Sequence, residues 1–105
     1  MNPRDRVKVT DECRARALVQ YPPEGSVDGR PRFDHFVLGP LDAAKVLLGT
    51  NFEDFPEEGG AVVTAGTALF PPIVFYAERV GDVIEIFHFE PDDDYWDQIA
   101  SDPFD

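Results

Sequence analysis

The densest set of chemically versatile side chains in this sequence lies near its C-terminal end. An alternating aromatic stretch there runs into a series of acids and further aromatics. We take the following residues as the candidate binding surface: Phe87, Phe89, Glu90, Asp92, Asp93, Asp94, Tyr95 and Trp96. An aromatic centre with a polar rim is typical of protein interfaces. The alternative is that Tyr95 and Trp96 fold back and cover the two phenylalanines.

The same acids raise the question of a metal site. A calcium loop needs alternating ligands, a glycine at the sharp turn and a distal glutamate, and Asp92–Asp94 with Asp97 lacks that pattern. The two histidines and the single cysteine fit no zinc spacing, and no glycine-rich phosphate loop is present. We therefore predict no metal and no cofactor.

Two single residues are candidates for catalysis. His88 could act because imidazole titrates near neutrality, although a lone histidine on an apolar strand is more often structural. Cys13 has Arg14 and Arg16 nearby, and cations lower a thiol pKa, but its helical spacing with Ala17 favours a core position. No catalytic residue is assigned, and the sequence favours a protein without enzymatic activity.

Charge is the strongest compositional signal. The chain carries a net charge of −12, and two of its nine basic residues, Lys45 and Arg79, fall after residue 32. Such a surface repels a phosphate backbone, which disfavours nucleic-acid binding unless the N-terminal arginines gather on one face. Its natural complement is a basic protein partner.

The element that must position these residues is a predicted hairpin from Pro72 to Pro91, with its turn at 80–82. Glycine at position 81 allows positive φ, and both a Val-Gly and a Gly-Asp loop fit. Strict alternation assigns its side chains to two faces. One face is expected to carry Ile73, Phe75, Ala77, Ile84, Ile86 and His88, and the other Val74, Tyr76, Glu78, Val83, Glu85, Phe87 and Phe89.

The preceding segments complete the expected order. Residues 6–10 are predicted to form a short strand. Thr10 is predicted to be the N-cap of a helix whose inward residues are Cys13, Ala17, Leu18 and Tyr21. A second helix is expected from Gly39-Pro40 to a stop at Gly49, with Leu41, Ala44, Leu47 and Leu48 inward. Residues 33–38 fit either an earlier helical turn or an extended arm.

Residues 61–70 read as a strand with a bulge at Gly66, and Phe52 and Phe55 as loop anchors. A short terminal helix begins at the aspartates of 92–94. The fold class predicted is therefore α+β: a two-layer β-α-α-β-β-β antiparallel sheet with two helices on one face and a short C-terminal helix.

Chain length, hydropathy and cysteine content indicate the number of domains and the cellular compartment. A chain of 105 residues is expected to form a single domain, residues 1–105. It contains no apolar run long enough to span a membrane, and its charged N-terminus differs from a signal peptide. One cysteine fits a reducing cytoplasm. A homodimer that buries the second hairpin face is an open alternative.

The hairpin residues Phe75-Tyr76, Val80–Ile86 and His88, together with the opening VKVTDECRARAL, resemble the RelE/ParE toxin superfamily. The resemblance spans roughly residues 6–95 and implies that family's scaffold, with a strand, two helices and three antiparallel strands. It implies this scaffold more than the family's ribonuclease activity. Where such toxins carry basic residues for RNA work, however, this chain has Glu90 and Asp92–Asp94, and only Tyr95 echoes a catalytic tyrosine.

Two functions follow from these observations. The first is a small acidic cytoplasmic interaction module, of the immunity or inhibitor type, that binds a basic partner. The second is a divergent RelE-like ribonuclease of a toxin–antitoxin system. A continuous negative face would favour the first, and a cationic groove of Arg14, Arg16, Arg30 and Arg32 would favour the second.

Overall fold

The structure is a computed structural model and describes residues 2–92. It combines one four-stranded sheet with two helical segments. The strands are β1 (Val7–Val9), β2 (Gly60–Thr64), β3 (Ile73–Val80) and β4 (Val83–Pro91). The helices are α1 (Asp11–Gln20), α2 (Phe33–Phe36), a π-helical turn (Val37–Leu41) and α3 (Asp42–Thr50), with 3-10 turns at Pro3–Arg6 and Phe52–Asp54. The predicted terminal helix falls outside the described residues.

The sheet is mixed, which corrects the prediction of an antiparallel one. Its strand order is β1-β4-β3-β2. The three consecutive strands pair antiparallel as expected, but β1 pairs parallel to β4, with Val7 opposite Ile84 and Val9 opposite Ile86. Tight turns force neighbouring strands to be antiparallel, whereas the long connection between β1 and β4 imposes no such direction.

Helix α1 begins where the sequence predicts. The Thr10 side chain accepts the Cys13 amide N–H at 3.2 Å, and two acids occupy the first turn. Cys13, Ala17 and Tyr21 are buried at fourfold spacing. Leu18, which we predicted to face inward, is partly exposed, because the buried stripe of this helix is only one residue wide.

The second helical segment begins at Phe33, so residues 33–38 form the earlier helical turn and not the extended arm. The π-helical turn lets the helix run continuously through Pro40, whose missing N–H would break an ordinary α-helix. Gly49 lies within α3 and is not its stop. A Cβ at this position would lie 2.0 Å from the Pro3 carbonyl oxygen, so the glycine permits close contact between α3 and the N-terminal turn. Leu47, expected inside, is exposed.

Strand β2 is shorter than predicted and ends at Thr64. Gly66 lies beyond it and forms no bulge. The Thr67 hydroxyl accepts the amide N–H groups of Leu69 and Phe70, at 3.2 and 3.1 Å, which folds this segment into a turn.

The hairpin forms as predicted, with Val80 opposite Val83 and a two-residue Gly81-Asp82 loop. Gly81 has φ of +60°, the left-handed conformation that glycine adopts without strain. The strand faces, however, follow strict alternation only as far as Ile86. Tyr76 pairs with His88 while Ala77 pairs with Ile86, so Phe87 is an extra residue in β4.

This bulge reverses the predicted faces of two residues. Phe89 lies on the inner face and is fully buried, whereas His88 lies on the outer face opposite Tyr76. The prediction was wrong for both because one inserted residue shifts every later side chain to the other side of the strand.

The core lies between the inner face of the sheet and the helices, where buried residues of all these elements form one cluster. Aromatic rings fill its centre. Phe36 stacks on Tyr21 with centroids 5.0 Å apart and contacts Phe89 at the same distance. Phe75 and Phe70 complete the group. Edge and offset contacts of this kind add to the free energy gained from burying the ring areas.

Phe52 and Phe55 anchor the loop before β2, as predicted. Phe52 is buried, and Phe55 packs against the core. The Arg79 guanidinium donates to both of their carbonyl oxygens and lies 4.5 Å from the centre of the Phe52 ring. One cation thus ties this loop to β3. Among residues 2–92, no helix is long and apolar enough to cross a bilayer.

Candidate functional site: the outer face of the sheet

The outer face of the sheet carries a mixture of apolar and charged side chains. Its centre is an apolar group that we call the outer patch: Val63, Val74, Tyr76, Phe87 and His88. Carboxylates lie on either side of the outer patch. Glu78 and Glu85 precede it toward the hairpin turn, and Glu90 and Asp92 follow it. The arrangement is therefore an apolar centre with an acidic rim.

The β-bulge builds the aromatic part of the outer patch. It brings His88 beside Tyr76, with ring centroids 5.5 Å apart, and leaves the Phe87 side chain 45% exposed. A regular strand would have sent His88 into the core. Bulges often redirect side chains at functional sites, and this one gathers three rings on the outer side of the sheet.

Two carboxylates face each other next to the outer patch. Glu78 on β3 is directly opposite Glu85 on β4, and Lys8 on β1 is the next residue in the same row. No ion pair among residues 2–92 includes either glutamate. Like charges directly opposite across two strands destabilise a sheet, so this pair costs folding free energy. An incoming cation would relieve the repulsion.

At the other end of the outer patch, Arg16 of α1 joins a chain of hydrogen bonds. Its guanidinium donates to the Phe89 carbonyl oxygen at 2.6 Å and to His88 Nδ1 at 2.8 Å. His88 Nε2 is 3.1 Å from a carboxylate oxygen of Glu90, which it reaches as a donor. His88 thus lies between a guanidinium on its Nδ1 side and a carboxylate on its Nε2 side. The His88–Glu90 bond is the main reason that the pKa of Glu90 is lowered.

The structure keeps part of the predicted binding surface. Phe87, Glu90 and Asp92 are exposed near the outer patch. Phe89 does not belong to it, because the bulge turns this ring into the core. The remaining predicted residues, Asp93, Asp94, Tyr95 and Trp96, lie outside the described part of the chain.

The structure adds residues that we had not selected. Tyr76, Glu78 and Glu85 belong to the site, and the alternation of the hairpin already placed them on one face. The signal was present in the sequence, but the facing carboxylates become apparent only once the register of β3 and β4 is known.

The structure does not assemble a site from the other candidate residues, which are the cysteine, the metal-ligand types and the N-terminal arginines. Cys13 is buried, and burial raises the pKa of its thiol, opposite to what a nucleophile needs. Among residues 2–92, no group of three histidine, cysteine or acidic side chains could hold a metal ion. Arg30 pairs with Asp28 and Arg32 with Asp34, so the four N-terminal arginines have separate local partners and form no common groove.

A second concave site lies on the helical side. It is a cavity of about 320 Å³ between β1, α1 and α2, and its lining includes Lys8, Arg14 and Lys45 but no carboxylate. Phe33 also lines it, 5.7 Å from the Arg14 guanidinium. Arg14 and Lys45 are the cationic side chains of the lining on this side, because Lys8 alternates with the inward Val7 and Val9 and lies in the outer-face row with Glu85.

In comparisons with known proteins, no family model, no curated protein and no solved structure matches this chain.

Proposed function

We propose that this chain is a small acidic protein-interaction module that binds a basic protein through the outer face of its sheet. An immunity or inhibitor protein would have such a surface, and we place it in the cytoplasm. The observation that carries the proposal is the facing pair Glu78 and Glu85 beside the exposed Tyr76 and Phe87.

A cation on the partner gains the most binding free energy at the Glu78–Glu85 pair. An arginine or lysine placed between Glu78 and Glu85 removes a repulsion that the free protein tolerates, so binding gains more there than at an isolated carboxylate. The neighbouring rings of Tyr76 and Phe87 supply apolar contact area, and an arginine can also stack on them. Charge and aromatic area thus favour the same kind of partner.

The test is affinity capture from the native host with wild-type protein and an E78Q/E85Q variant. We expect the variant to lose its principal partner while remaining folded, because both side chains lie outside the core. The matched control is E12Q/E24Q, which changes the net charge equally at exposed positions away from the sheet. Equal loss with both variants would mean that only net charge matters, and unchanged capture with E78Q/E85Q would refute the proposal.

A second candidate function is a divergent RelE-like ribonuclease, which rests on the sequence resemblance and on the cationic residues Arg14 and Lys45 in the lining of the cavity on the helical side. Phosphate groups would bind to such a cluster. Growth arrest with messenger RNA cleavage on expression, abolished by R14Q/K45Q and unaffected by E78Q/E85Q, would establish this function in place of the first.

A further inference from the structure

The two edges of the sheet differ in how they are protected against pairing with another chain. On one edge, β1 is only three residues long and carries Lys8. Beyond the end of β1, β4 is irregular at the Phe87 bulge. There the Arg16 guanidinium donates a hydrogen bond to the Phe89 carbonyl oxygen. Short strands, lysine, bulges and covering side chains are the usual ways of blocking an edge.

The opposite edge, β2, has none of these features. Gly60–Thr64 contains no charged residue and no proline, and its pairing with β3 is regular over five residues. No other strand pairs with β2 in the described part of the chain. Every second residue of β2 therefore points its N–H and C=O groups away from the sheet, where an added strand could pair with them.

A groove runs along this open edge, between β2 and the second helical segment. The helix contributes a stripe of residues at threefold and fourfold spacing, Pro40, Ala43, Leu47 and Asn51, and β2 contributes Val62 and Thr64. The groove contains two depressions, of about 520 Å³ near Thr64 and about 140 Å³ near Val62.

The groove has the length of a short peptide. Five strand residues at about 3.3 Å each span roughly 17 Å. The helix from Pro40 to Asn51, at about 1.5 Å per residue, covers a similar distance. The larger depression is mainly apolar, and Leu38 and Leu69 are exposed at this end, near Thr64.

The other end of the groove is acidic. Asp54 lines the smaller depression, and Glu57 and Glu58 are exposed in the loop that leads into β2. None of these three carboxylates takes part in an ion pair among residues 2–92. A ligand with a cation at this end would therefore gain a charge-assisted contact.

We propose that the groove beside β2 binds an extended segment of another protein, which adds to the sheet as a fifth strand. The segment runs antiparallel to β2, so its C-terminal end lies near Gly60 and the acidic loop. Alternate apolar side chains enter the two depressions, and a lysine or arginine near its C-terminal end meets Asp54, Glu57 and Glu58. This site is separate from the outer patch and does not rest on the function proposed for it.

Charge distinguishes this ligand from a second copy of the chain. If two β2 strands paired antiparallel, the acidic loop of one copy would face residues 65–69 of the other. That segment carries no lysine or arginine, and the first basic residue after β2 is Arg79. A second copy thus leaves the acidic loop uncompensated, whereas a basic segment does not.

The experiment uses two libraries of fluorescent octapeptides with blocked termini and alternating valine or isoleucine and serine or threonine. One library ends in Lys-Arg at its C-terminus and the other in Glu-Asp. We expect members of the first alone to bind, by fluorescence anisotropy, and E57Q/E58Q to weaken them about tenfold, a change equivalent to about 1.4 kcal/mol. E12Q/E24Q, which removes equal charge at exposed positions outside both the groove and the outer face, should leave the affinity unchanged.

A43E tests the groove itself. Ala43 is exposed on the helix, so a glutamate there should fill the groove without unfolding the protein, and V19E on the exposed side of α1 is the matched control. Binding lost with A43E and kept with V19E supports the proposal. Binding that survives A43E, no binding by any peptide, or a concentration-dependent dimer that A43E dissociates would each overturn it.

Discussion

The inner and outer faces of the sheet are built from the same two strands but have different properties. On the inner face, Phe75, Ile84 and Phe89 are fully buried against the helices. On the outer face, Tyr76 and Phe87 remain exposed, and Glu78 faces Glu85 without a cation paired to either. The inner face carries the stability of the fold, while the outer face carries two facing carboxylates, of which Glu85 also has Lys8 as its neighbour on β1.

The sharpest test of this difference compares two phenylalanines two residues apart in β4. Phe89→Ala removes a ring from the aromatic core and should lower the free energy of unfolding by about 3–5 kcal/mol. Phe87→Ala removes a half-exposed ring at the bulge and should cost no more than about 0.5 kcal/mol. Urea denaturation of both variants measures the difference, and equal losses would show that the bulge does not separate the two faces.

A smaller effect of opposite sign is expected on the outer face. Glu85→Gln should raise the free energy of unfolding by about 0.2–1 kcal/mol, because it removes the repulsion with Glu78. The same variant should weaken partner binding, so stability and function should move in opposite directions. Glu57→Gln, in an exposed loop, serves as the control and should leave stability unchanged. A loss of stability in Glu85→Gln would mean that Lys8 already compensates this carboxylate.

The smallest effect concerns the pH dependence of the outer face. The hydrogen bond from His88 lowers the pKa of Glu90 from its ordinary value near 4.5. A lowered folded-state pKa stabilises the protein above that ordinary value, and the contribution is lost as the pH falls through the folded-state pKa. The Glu90 carboxyl should therefore titrate, by carbon-13 NMR, below the ordinary value for glutamate. His88→Ala should move the midpoint of Glu90 upward, and an unmoved midpoint would exclude the bond as its cause.

The sequence predicted much of the architecture because local signals agreed with it. Thr10 caps α1, Gly81 forms the hairpin turn, and the antiparallel order of β2, β3 and β4 follows from their short connections. The candidate site was predicted less well. Phe87 belongs to the outer patch and Glu90 and Asp92 are exposed beside it, but Phe89 is buried in the core, and Tyr76, Glu78 and Glu85 had not been selected.

The errors share one physical cause, which is that pairing between distant segments leaves little trace in local sequence. The sequence around Phe87 contains no glycine or proline that would indicate a bulge. The bulge results from the pairing of Tyr76 with His88 and of Ala77 with Ile86. The choice between a helical turn and an extended arm at residues 33–38, which the sequence left open, likewise depends on burying Phe36 among the core aromatics.

What the sequence by itself determined is the set of elements, their caps and turns, and the acidity that favours a basic partner, since each of these depends on residues near one another in the chain. Tertiary structure alone decided the parallel pairing of β1 with β4, the side of the sheet on which His88 and Phe89 lie, and the open edge at β2. Those features depend on contacts between residues far apart in sequence, where packing of the whole core selects among local alternatives of similar energy.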